Sequence, residues 1–446
     1  MKMKTILMVL VNLLNSVSRI ITSSESPRKE ITDGLSNPKE RQRIVKGVRK
    51  FFSENYELRY NVMKQTEEYR PLKGKDVPDN STEGTFSEKE PLIFRKEGRI
   101  AQGEVPWRQL NDRVLRQMAI EQMEQEGVAW SIDVELYVRS ALIPYYNPVT
   151  DFLDHCGPWD GQTDYIRQLA RRVPTGYDRW PDHFHRWMLA MVAQWLDLSR
   201  DYGNSVVPML IGGQGTHKST FCRLLLPPEL RTYYIDDIKL DAAEQVERML
   251  CRMLLVNIDE YNAKTDREQA KIKRILTEKD VQTRRMRSDQ YELRPRMASF
   301  IATTNDREPL TDATGSRRYL CCEVEGLIDT ETPVDYRQMY AQAVYELSHG
   351  ESYYFSKEEE TEIEAHNMTY LCESTAEAVL LTYFGPGEPC KENFVRAVDI
   401  QKELRAHLKQ SDVPTIRALT MALKRLHFQY GAIRGVRGWY ARKRGA

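Results

Sequence analysis

The chain has 446 residues, of which 41% are hydrophobic and 29% charged, a composition typical of a globular protein with about two or three domains. Its 65 basic and 65 acidic residues balance, which excludes a chain-wide basic surface and leaves only local segments as nucleic-acid-binding candidates. Seven cysteines without a CxxC pair or a zinc-like His/Cys spacing predict reduced thiols in a cytoplasmic protein.

Residues 1–40 are predicted to be an N-terminal extension and linker. The apolar run Ile6 to Val11 resembles a short signal sequence, but Asn12 and Asn15 interrupt it and no small-residue cleavage site follows. The run is too short to span a bilayer. We therefore predict an apolar helix, or a start codon assigned too early, and no membrane partner.

Residues 41–140 are predicted to form a small mixed α/β domain without recognisable catalytic residues. A helical pattern precedes an alternating strand pattern at residues 56–62, a polar loop at 71–92 follows, and helices are predicted at 107–125 and 133–142. The apolar residues of the first helix are Ile44, Val48, Phe51 and Phe52. Its basic residues could contact nucleic acid, although a solvated helix face is favoured: Arg41, Arg43, Lys46, Arg49 and Lys50.

Residues 141–330 are predicted to form the central α/β domain, which begins with a helical lead-in. Turns at residues 145–149 and 157–161 surround a short helix, and amphipathic helices follow at 165–173 and 183–198. Trp187 and Trp195 lie on the apolar face of the second of these helices and are predicted to be core residues.

A glycine-rich turn then separates the apolar strand Val206 to Leu210 from Phe221 to Leu226, which are predicted to be the start of a helix. Glycines let backbone N–H groups fold around an anion, and a helix N-terminus adds free amides and a positive dipole. Strand, turn and helix together predict a phosphate-binding loop for ATP. Its residues are Gly212, Gly213, Gln214, Gly215, Thr216, His217, Lys218, Ser219 and Thr220.

Within this loop, Lys218 would neutralise the β- and γ-phosphates and the Ser219 hydroxyl would ligate Mg²⁺. His217 occupies the position where a glycine is expected just before the lysine. An ordinary strand-to-helix turn is the alternative interpretation.

Two further apolar strands end in polar residues. Met253 to Ile258 leads into Asp259 and Glu260, the first predicted to orient Mg²⁺ and the second to polarise the attacking water. Residues 298–304 lead into Asn305, whose amide could contact the γ-phosphate or the lytic water. A strand that merely ends in a charged turn is the alternative to the first of these predictions.

Arginines stand out in two places. Between the second and third strands, residues 284–296 contain five arginines with Met286 and Tyr291, which favours a hairpin that contacts a phosphodiester backbone over a solvated hairpin or a set of ion pairs. After the third strand, Arg317 and Arg318 are candidates to stabilise transition-state charge on a neighbouring subunit's γ-phosphate.

Residues 331–446 are predicted to form a helical, basic C-terminal domain. Helices are predicted at 334–347, 356–367, 397–408 and 415–426, with a break at 384–387. From residue 391 onward, 13 Lys/Arg stand against 4 Asp/Glu. Helices followed by a glycine-punctuated basic hairpin at 430–440 resemble a winged helix that binds DNA, with a packing module against a neighbouring protein as the alternative.

The order of these motifs resembles the virulence-associated E (VapE-like) P-loop ATPases of prophages and mobile elements, which are similar to superfamily 3 helicases and AAA+ proteins. The resemblance covers roughly residues 140 to 325. Its elements are Tyr146–Val149, Trp159–Gly161, Gly212–Thr220, Asp259–Glu260, Thr303–Asn305 and Thr314–Arg318.

This resemblance implies an αβα P-loop core and a DNA-stimulated ATPase in the replication of a mobile element, assembled as a homo-oligomer, with a hexameric ring as one form. Carried over by position, Lys218 and Ser219 bind phosphate and Mg²⁺, Asp259 and Glu260 serve the metal and the water, Asn305 is the sensor, and Arg317 or Arg318 is the arginine finger. The alternatives are a nucleotide-switched DNA-binding assembly protein with little hydrolysis and, with less support, a small-molecule kinase.

Overall fold

The computed structural model describes residues 38–72, 106–126, 131–198, 203–236, 243–261, 266–284, 291–310, 313–371, 375–409 and 413–444. Residues 1–37 of the predicted extension and linker lie outside these ranges, as do residues 73–92 of the predicted loop and Arg285, Met286 and Arg287 of the predicted hairpin. Residues 38–40, also predicted to be linker, belong to the first helix.

The first unit is a four-stranded sheet covered by three helices. In chain order these elements are α1 (Pro38–Asn55), β1 (Tyr56–Asn61), β2 (Thr66–Pro71), β3 (Arg108–Gln109), α2 (Asp112–Glu126), α3 (Ser131–Val138) and β4 (Tyr145–Tyr146). The strand order is β3-β2-β1-β4, with β1 antiparallel to β2 and parallel to β4. The four apolar residues predicted for α1 are buried, whereas its basic residues are exposed, so the prediction of an amphipathic helix is confirmed.

The helical lead-in comprises α4 (Pro148–Asp154), α5 (Tyr165–Ala170) and α6 (Trp180–Trp195). Trp187 and Trp195 are buried as predicted, but the prediction that this helix is amphipathic is wrong. Helix α6 is buried on almost every side. Polar residues in it can be buried because they form hydrogen bonds with groups elsewhere in the protein. For example, Gln194 donates to Ala298 O over 2.7 Å.

The central unit is a five-stranded parallel sheet with its helices. Its elements in chain order are β5 (Val207–Ile211), α7 (Lys218–Leu224), β6 (Tyr234–Asp236), α8 (Ala243–Arg252), β7 (Leu255–Ile258), α9 (Asp266–Thr277), β10 (Ser299–Thr304) and β11 (Tyr319–Glu323). The strand order is β11-β5-β10-β7-β6. The three strands predicted from apolar runs are therefore adjacent, with β10 between β5 and β7.

Helices cover both faces of this sheet. Leu210 and Ile301 belong to one buried cluster, which includes residues of α6, whereas Met209 and Phe300 belong to a second cluster, which includes residues of α8 and α9. Successive residues of a strand point to opposite faces, so both faces are packed and the central unit is a three-layer α/β structure.

The predicted hairpin is present as β8 (Asp280–Arg284) and β9 (Tyr291–Pro295), which are antiparallel. Arg296, however, does not belong to the candidate nucleic-acid surface. It is 1% exposed, and its guanidinium donates to Ile275 O, Asn204 O and the Gln194 side chain over 2.6, 2.7 and 2.9 Å. Its role as a phosphodiester contact is therefore excluded.

The C-terminal part continues with α10 (Tyr336–Ser348), α11 (Lys357–Asn367), α12 (Thr375–Tyr383), β12 (Phe384–Pro386), β13 (Phe394–Val395), α13 (Ala397–His407), α14 (Ile416–Arg425), β14 (Tyr430–Ile433) and β15 (Val436–Lys443). The segment predicted as a break at residues 384–387 instead contributes strand β12, which pairs with β15. A separate buried cluster runs from Ala376 to Ala441. Across the described ranges, no helix is long and apolar enough to cross a membrane.

Candidate functional site

The loop at residues 212–217 connects the end of β5 to the first residue of α7. Gly212 N donates to Thr304 O over 3.1 Å, which ties the start of the loop to the end of β10. A Cβ on Gly212 would lie 2.9 Å from Val324 O, so only glycine fits there without a shift of the backbone. Gly215 has φ of +82°, in the left-handed region that favours glycine.

His217 also has a left-handed backbone, with φ of 67° and ψ of 23°. This conformation explains why a glycine is the expected residue at that position, since a Cβ is crowded there. The His217 side chain is exposed, and its Nδ1 lies 3.3 Å from the hydroxyl of Thr330, a residue of the segment after β11. Thr330 itself is 4% exposed.

Lys218 is 7% exposed and is surrounded by oxygen acceptors. Its ammonium donates to Gly212 O over 2.8 Å, to Gly213 O over 2.7 Å and to Asn305 Oδ1 over 3.0 Å. Burial lowers the pKa of Lys218, and the nearby carboxylate of Asp259 acts in the opposite direction. The lysine therefore links the loop after β5 to the residue that follows β10.

The Asp259 carboxylate accepts hydrogen bonds from two hydroxyl groups. Ser219 Oγ, from the first turn of α7, donates to Asp259 Oδ1 over 3.2 Å, and Thr303 Oγ1, from β10, donates to the same oxygen. Thr303 was not among the predicted site residues. Its signal in the sequence is a polar residue near the end of an otherwise apolar strand, two positions before Asn305.

Glu260 follows Asp259 in a tight turn, with a φ of 50° and an exposed side chain. The next residue anchors this turn, since Tyr261 N donates to Thr303 O over 2.8 Å and the Tyr261 hydroxyl lies 2.9 Å from that of Tyr319. A carboxylate is thus displayed at the carboxyl edge of the sheet, beside Asp259.

Asp236, at the end of β6, was also missed by the sequence analysis. It pairs in register with Asn257 of β7, whose side chain is fully buried and donates to Asp236 Oδ1 over 3.2 Å. The Tyr234 hydroxyl donates to the same oxygen over 2.5 Å. The carboxylate of Asp236 is therefore held at the same edge of the sheet as Asp259, one strand further out.

The remaining loop residues have structural contacts or face solvent. Thr216 Oγ1 donates to Gly213 O over 3.0 Å and Thr216 O accepts from Ile328 N over 3.2 Å, whereas Gln214 is exposed and Thr220 is half-buried. Within the described residues, no group of three His, Cys, Asp or Glu side chains is arranged to hold a metal ion.

The structure does not bring Arg317 and Arg318 into this cluster. Both belong to a 3₁₀ helix at Ala313–Arg318, before β11. Arg317 forms an ion pair with Glu360 of α11 over 3.0 Å. In the described parts of the chain, no hydrogen bond or ion pair joins either arginine to Lys218 or Asp259.

The central unit is a three-layer α/β structure, with helices on both faces of a parallel sheet. The loop that carries Lys218 lies at the carboxyl edge of this sheet. Residues 153–371 match the family model of the virulence-associated protein E-like domain. Residues 153–371 are therefore a VapE-like domain, which confirms the resemblance seen in the order of the motifs.

Solved structures also resemble the chain. An apo structure of the NrS-1 C-terminal region is 12% identical with a TM-score of 0.43, and the match covers 89% of this chain and 98% of that chain. Two A-form apo structures of that region are each 13% identical, with TM-scores of 0.39 and 0.40, and cover 85% and 88% of this chain and 86% and 98% of theirs. No curated protein sequence matches the chain.

Proposed function

We propose that the chain is a P-loop NTPase that hydrolyses ATP at the cluster around Lys218 and is stimulated by DNA. One observation carries the proposal. Lys218 and Ser219, at the start of a helix, contact Asn305 and Asp259, which follow two adjacent strands. A cation, a hydroxyl, a carboxylate and an amide at one edge of a parallel sheet are the groups that phosphoryl transfer uses.

Each group has a distinct role in this proposal. The Lys218 ammonium would exchange its loop carbonyl acceptors for β- and γ-phosphate oxygens. Glu260 would orient and deprotonate the attacking water, and Asn305 would contact the γ-phosphate or that water. The helix N-terminus of α7 would add its free amides.

Ser219 and Asp259 suit Mg²⁺, because a hydroxyl and a carboxylate oxygen 3.2 Å apart are hard oxygen ligands of the kind that this ion prefers. Thr303 would hold the carboxylate in place through its hydrogen bond. When bound, Mg²⁺ would neutralise charge on the phosphate oxygens.

We further propose two DNA-contacting regions. The first is the β8–β9 hairpin, where Tyr291 is 65% exposed, and the second is the basic C-terminal unit. In that unit α13 and α14 precede the hairpin β14–β15, where Arg434 and Arg437 are exposed, an arrangement that supports a winged-helix-like assignment. The VapE-like domain supports a role in replication of a prophage or other mobile element, as a helicase-like or initiator ATPase working as an oligomer.

The test is ATP hydrolysis by the intact protein without DNA and with single- or double-stranded DNA. Lys218→Ala should weaken ATP binding by roughly 10- to 100-fold for each charge-assisted hydrogen bond lost. Glu260→Gln should keep ATP affinity and lose about 10²- to 10⁴-fold in turnover, because only the general base is removed. Arg171→Ala, which removes an exposed charge outside the site, is the control.

Unchanged ATP affinity in the Lys218 variant would refute the site. The left-handed backbone of His217, at the position of an expected glycine, favours one alternative: a protein in which bound nucleotide switches DNA-dependent assembly with little hydrolysis. Wild-type turnover no higher than that of Glu260→Gln, with nucleotide binding intact, would support this alternative.

A further inference from the structure

A second carboxylate lies beside the proposed metal site, one strand further out in the sheet. Strands β6 and β7 are parallel, and Asp236 at the end of β6 pairs in register with Asn257 of β7. Asp259 follows two residues later, directly after β7. At about 3.3 Å per residue and about 4.8 Å between strands, the Cα atoms of Asp236 and Asp259 are roughly 8 Å apart. Two aspartate side chains can therefore flank one hydrated ion.

Helix α7 faces both carboxylates. Ser219 Oγ donates to Asp259 Oδ1 over 3.2 Å, and the guanidinium of Arg223, one helical turn further along, lies 3.9 Å from Asp236 Oδ2. Between them lies Cys222, which is fully buried. Burial raises the pKa of this thiol well above its usual range, and the carboxylates of Asp236 and Asp259 act in the same direction. Both carboxylates are thus within electrostatic reach of one side chain.

Two donors hold one oxygen of the Asp236 carboxylate and leave the other oxygen open. The Tyr234 hydroxyl and the Asn257 amide both donate to Oδ1, over 2.5 and 3.2 Å. Among the described residues, Oδ2 accepts no hydrogen bond, and only the ion pair with Arg223 reaches it. The Asp236 side chain is 40% exposed, so water has access to it.

Asn257 is the observation that gives this arrangement a purpose. It is fully buried in the strand that leads to Asp259, and its Oδ1 has no hydrogen-bond partner within the part of the chain that the structure describes. An unsatisfied buried acceptor lowers stability, and an apolar residue of similar volume would avoid that loss. The amide nitrogen, in contrast, donates to Asp236. The buried amide therefore serves the orientation of Asp236 more than the stability of the strand.

We propose that Asp236 is a further carboxylate of the metal site, which accepts a hydrogen bond from a water molecule bound to Mg²⁺, and that Asn257 is a positioning residue for it. The inference rests on the proposed ATPase function. Mg²⁺ keeps several of its waters in proteins and takes one or two carboxylates besides phosphate oxygens. A bound water extends the reach of the ion by a hydrogen bond of about 2.7 Å, so Asp236 can act on it from the neighbouring strand.

Metal affinity is measured with Mn²⁺, which suits the same oxygen ligands as Mg²⁺ and can be followed by electron paramagnetic resonance. The whole protein is freed of metal and given a non-hydrolysable ATP analogue below the protein concentration, so that little Mn²⁺ binds to free nucleotide. Asp236→Asn should weaken Mn²⁺ binding by about 10- to 100-fold, the loss typical of a residue that acts on a metal through its bound ligands. The Mg²⁺ concentration for half-maximal ATP hydrolysis should rise by the same factor.

Two further variants control for charge and for ion pairing. Asp154→Asn, at an exposed position of α4, removes the same charge outside the site and should leave Mn²⁺ affinity unchanged. Arg223→Met removes the cation beside Asp236, so Mn²⁺ affinity should stay the same or rise, because a repulsive charge is lost. A loss equal to that of Asp236→Asn would make Asp236 a structural partner of Arg223 and overturn the proposal.

Asn257→Leu separates positioning from folding. Its melting temperature should equal or exceed that of the wild type, because the unsatisfied acceptor is removed, whereas Mn²⁺ affinity should fall. Nucleotide affinity measured without metal should not change. Tyr234→Phe removes the other donor, keeps the ring and should weaken Mn²⁺ binding by roughly 2- to 10-fold, which gives a second test if Asn257→Leu does not fold. Unchanged Mn²⁺ affinity in either folded variant would overturn the positioning role.

The two proposals fail in different ways. Wild-type protein that does not bind the ATP analogue with Mn²⁺ would refute the ATPase function and with it this inference. Wild-type binding together with the same Mn²⁺ affinity in Asp236→Asn would overturn only the assignment of Asp236.

Discussion

Replacing His217 with glycine and, separately, with alanine tests whether the left-handed backbone at this position is strained. A non-glycine residue in this region costs about 1–2 kcal/mol, and His217 has φ of 67°. Alanine keeps the Cβ and therefore the strain, whereas glycine removes both. Glycine in turn gives up about 0.5–1 kcal/mol through the greater freedom of the unfolded chain.

The midpoints of these two ranges leave the glycine variant more stable than the alanine variant by about 0.75 kcal/mol. The wild type should lie between them, because the contact of 3.3 Å between His217 and Thr330 offsets part of the strain. Thr330→Val, which removes that partner while keeping the shape, should bring the histidine protein close to the alanine variant.

Amide hydrogen exchange at Gly212 and Phe221, whose amides donate to Thr304 O and His217 O on either side of the turn, is the appropriate assay. It reports the free energy of local opening in a large protein that need not unfold in one step. A difference of about 0.75 kcal/mol corresponds to an exchange rate about 3.5-fold slower in His217→Gly than in His217→Ala. Equal rates, or slower exchange in the alanine variant, would refute the argument from strain.

Three further predictions concern other parts of the molecule. Arg296→Met should destabilise the protein by more than about 2 kcal/mol in urea unfolding, because it removes three charge-assisted hydrogen bonds and leaves Ile275 O and Asn204 O without the donor that Arg296 supplies, yet DNA affinity per folded molecule should not change. Arg434→Gln with Arg437→Gln should lower the slope of log K against log salt for DNA by about 1.8, whereas Arg171→Gln, which removes one exposed charge elsewhere, should leave it unaltered. Burial lowers the pKa of His183, with Arg179 acting in the same direction and Glu362, Glu359 and Asp182 opposing it. As pH falls below about 6.5, the histidine therefore takes up a proton in the unfolded chain before it does so in the folded protein, and the folded protein loses stability. The melting temperature should fall less between pH 7 and 5.5 in His183→Gln than in the wild type.

Local patterns were sufficient to predict the elements that carry the candidate site. Strands β5, β7 and β10 are short apolar runs that end in turn or polar residues, and this short length and these flanking residues favour a buried strand over a buried helix. The helix after the glycine-rich turn was predicted to start at Phe221, whereas α7 begins three residues earlier, at Lys218. The structure explains two of the glycines in this turn. A Cβ on Gly212 would lie too close to Val324 O, and Gly215 has a positive φ.

Buried polar residues were the main source of error, because their partners are distant in the sequence. Arg296 follows an exposed hairpin, and nothing adjacent to it indicates burial. Its acceptors come from Ile275, Gln194 and Asn204, up to 102 positions away. In α6 the same cause made a buried helix appear amphipathic, since His185 is matched by Glu346, 161 positions later.

The order of the strands, which the sequence could not supply, determines which predicted residues meet. Strand β10 lies between β5 and β7, so it contacts both the strand that precedes Lys218 and the strand that precedes Asp259. Thr303 and Asn305 are two positions apart, the first donating to Asp259 and the second accepting from Lys218. Residues two apart along an extended strand share a side. A shift of one residue in the pairing of β10 would therefore remove both contacts together, and this single strand sets the spacing between the cationic and the acidic halves of the site.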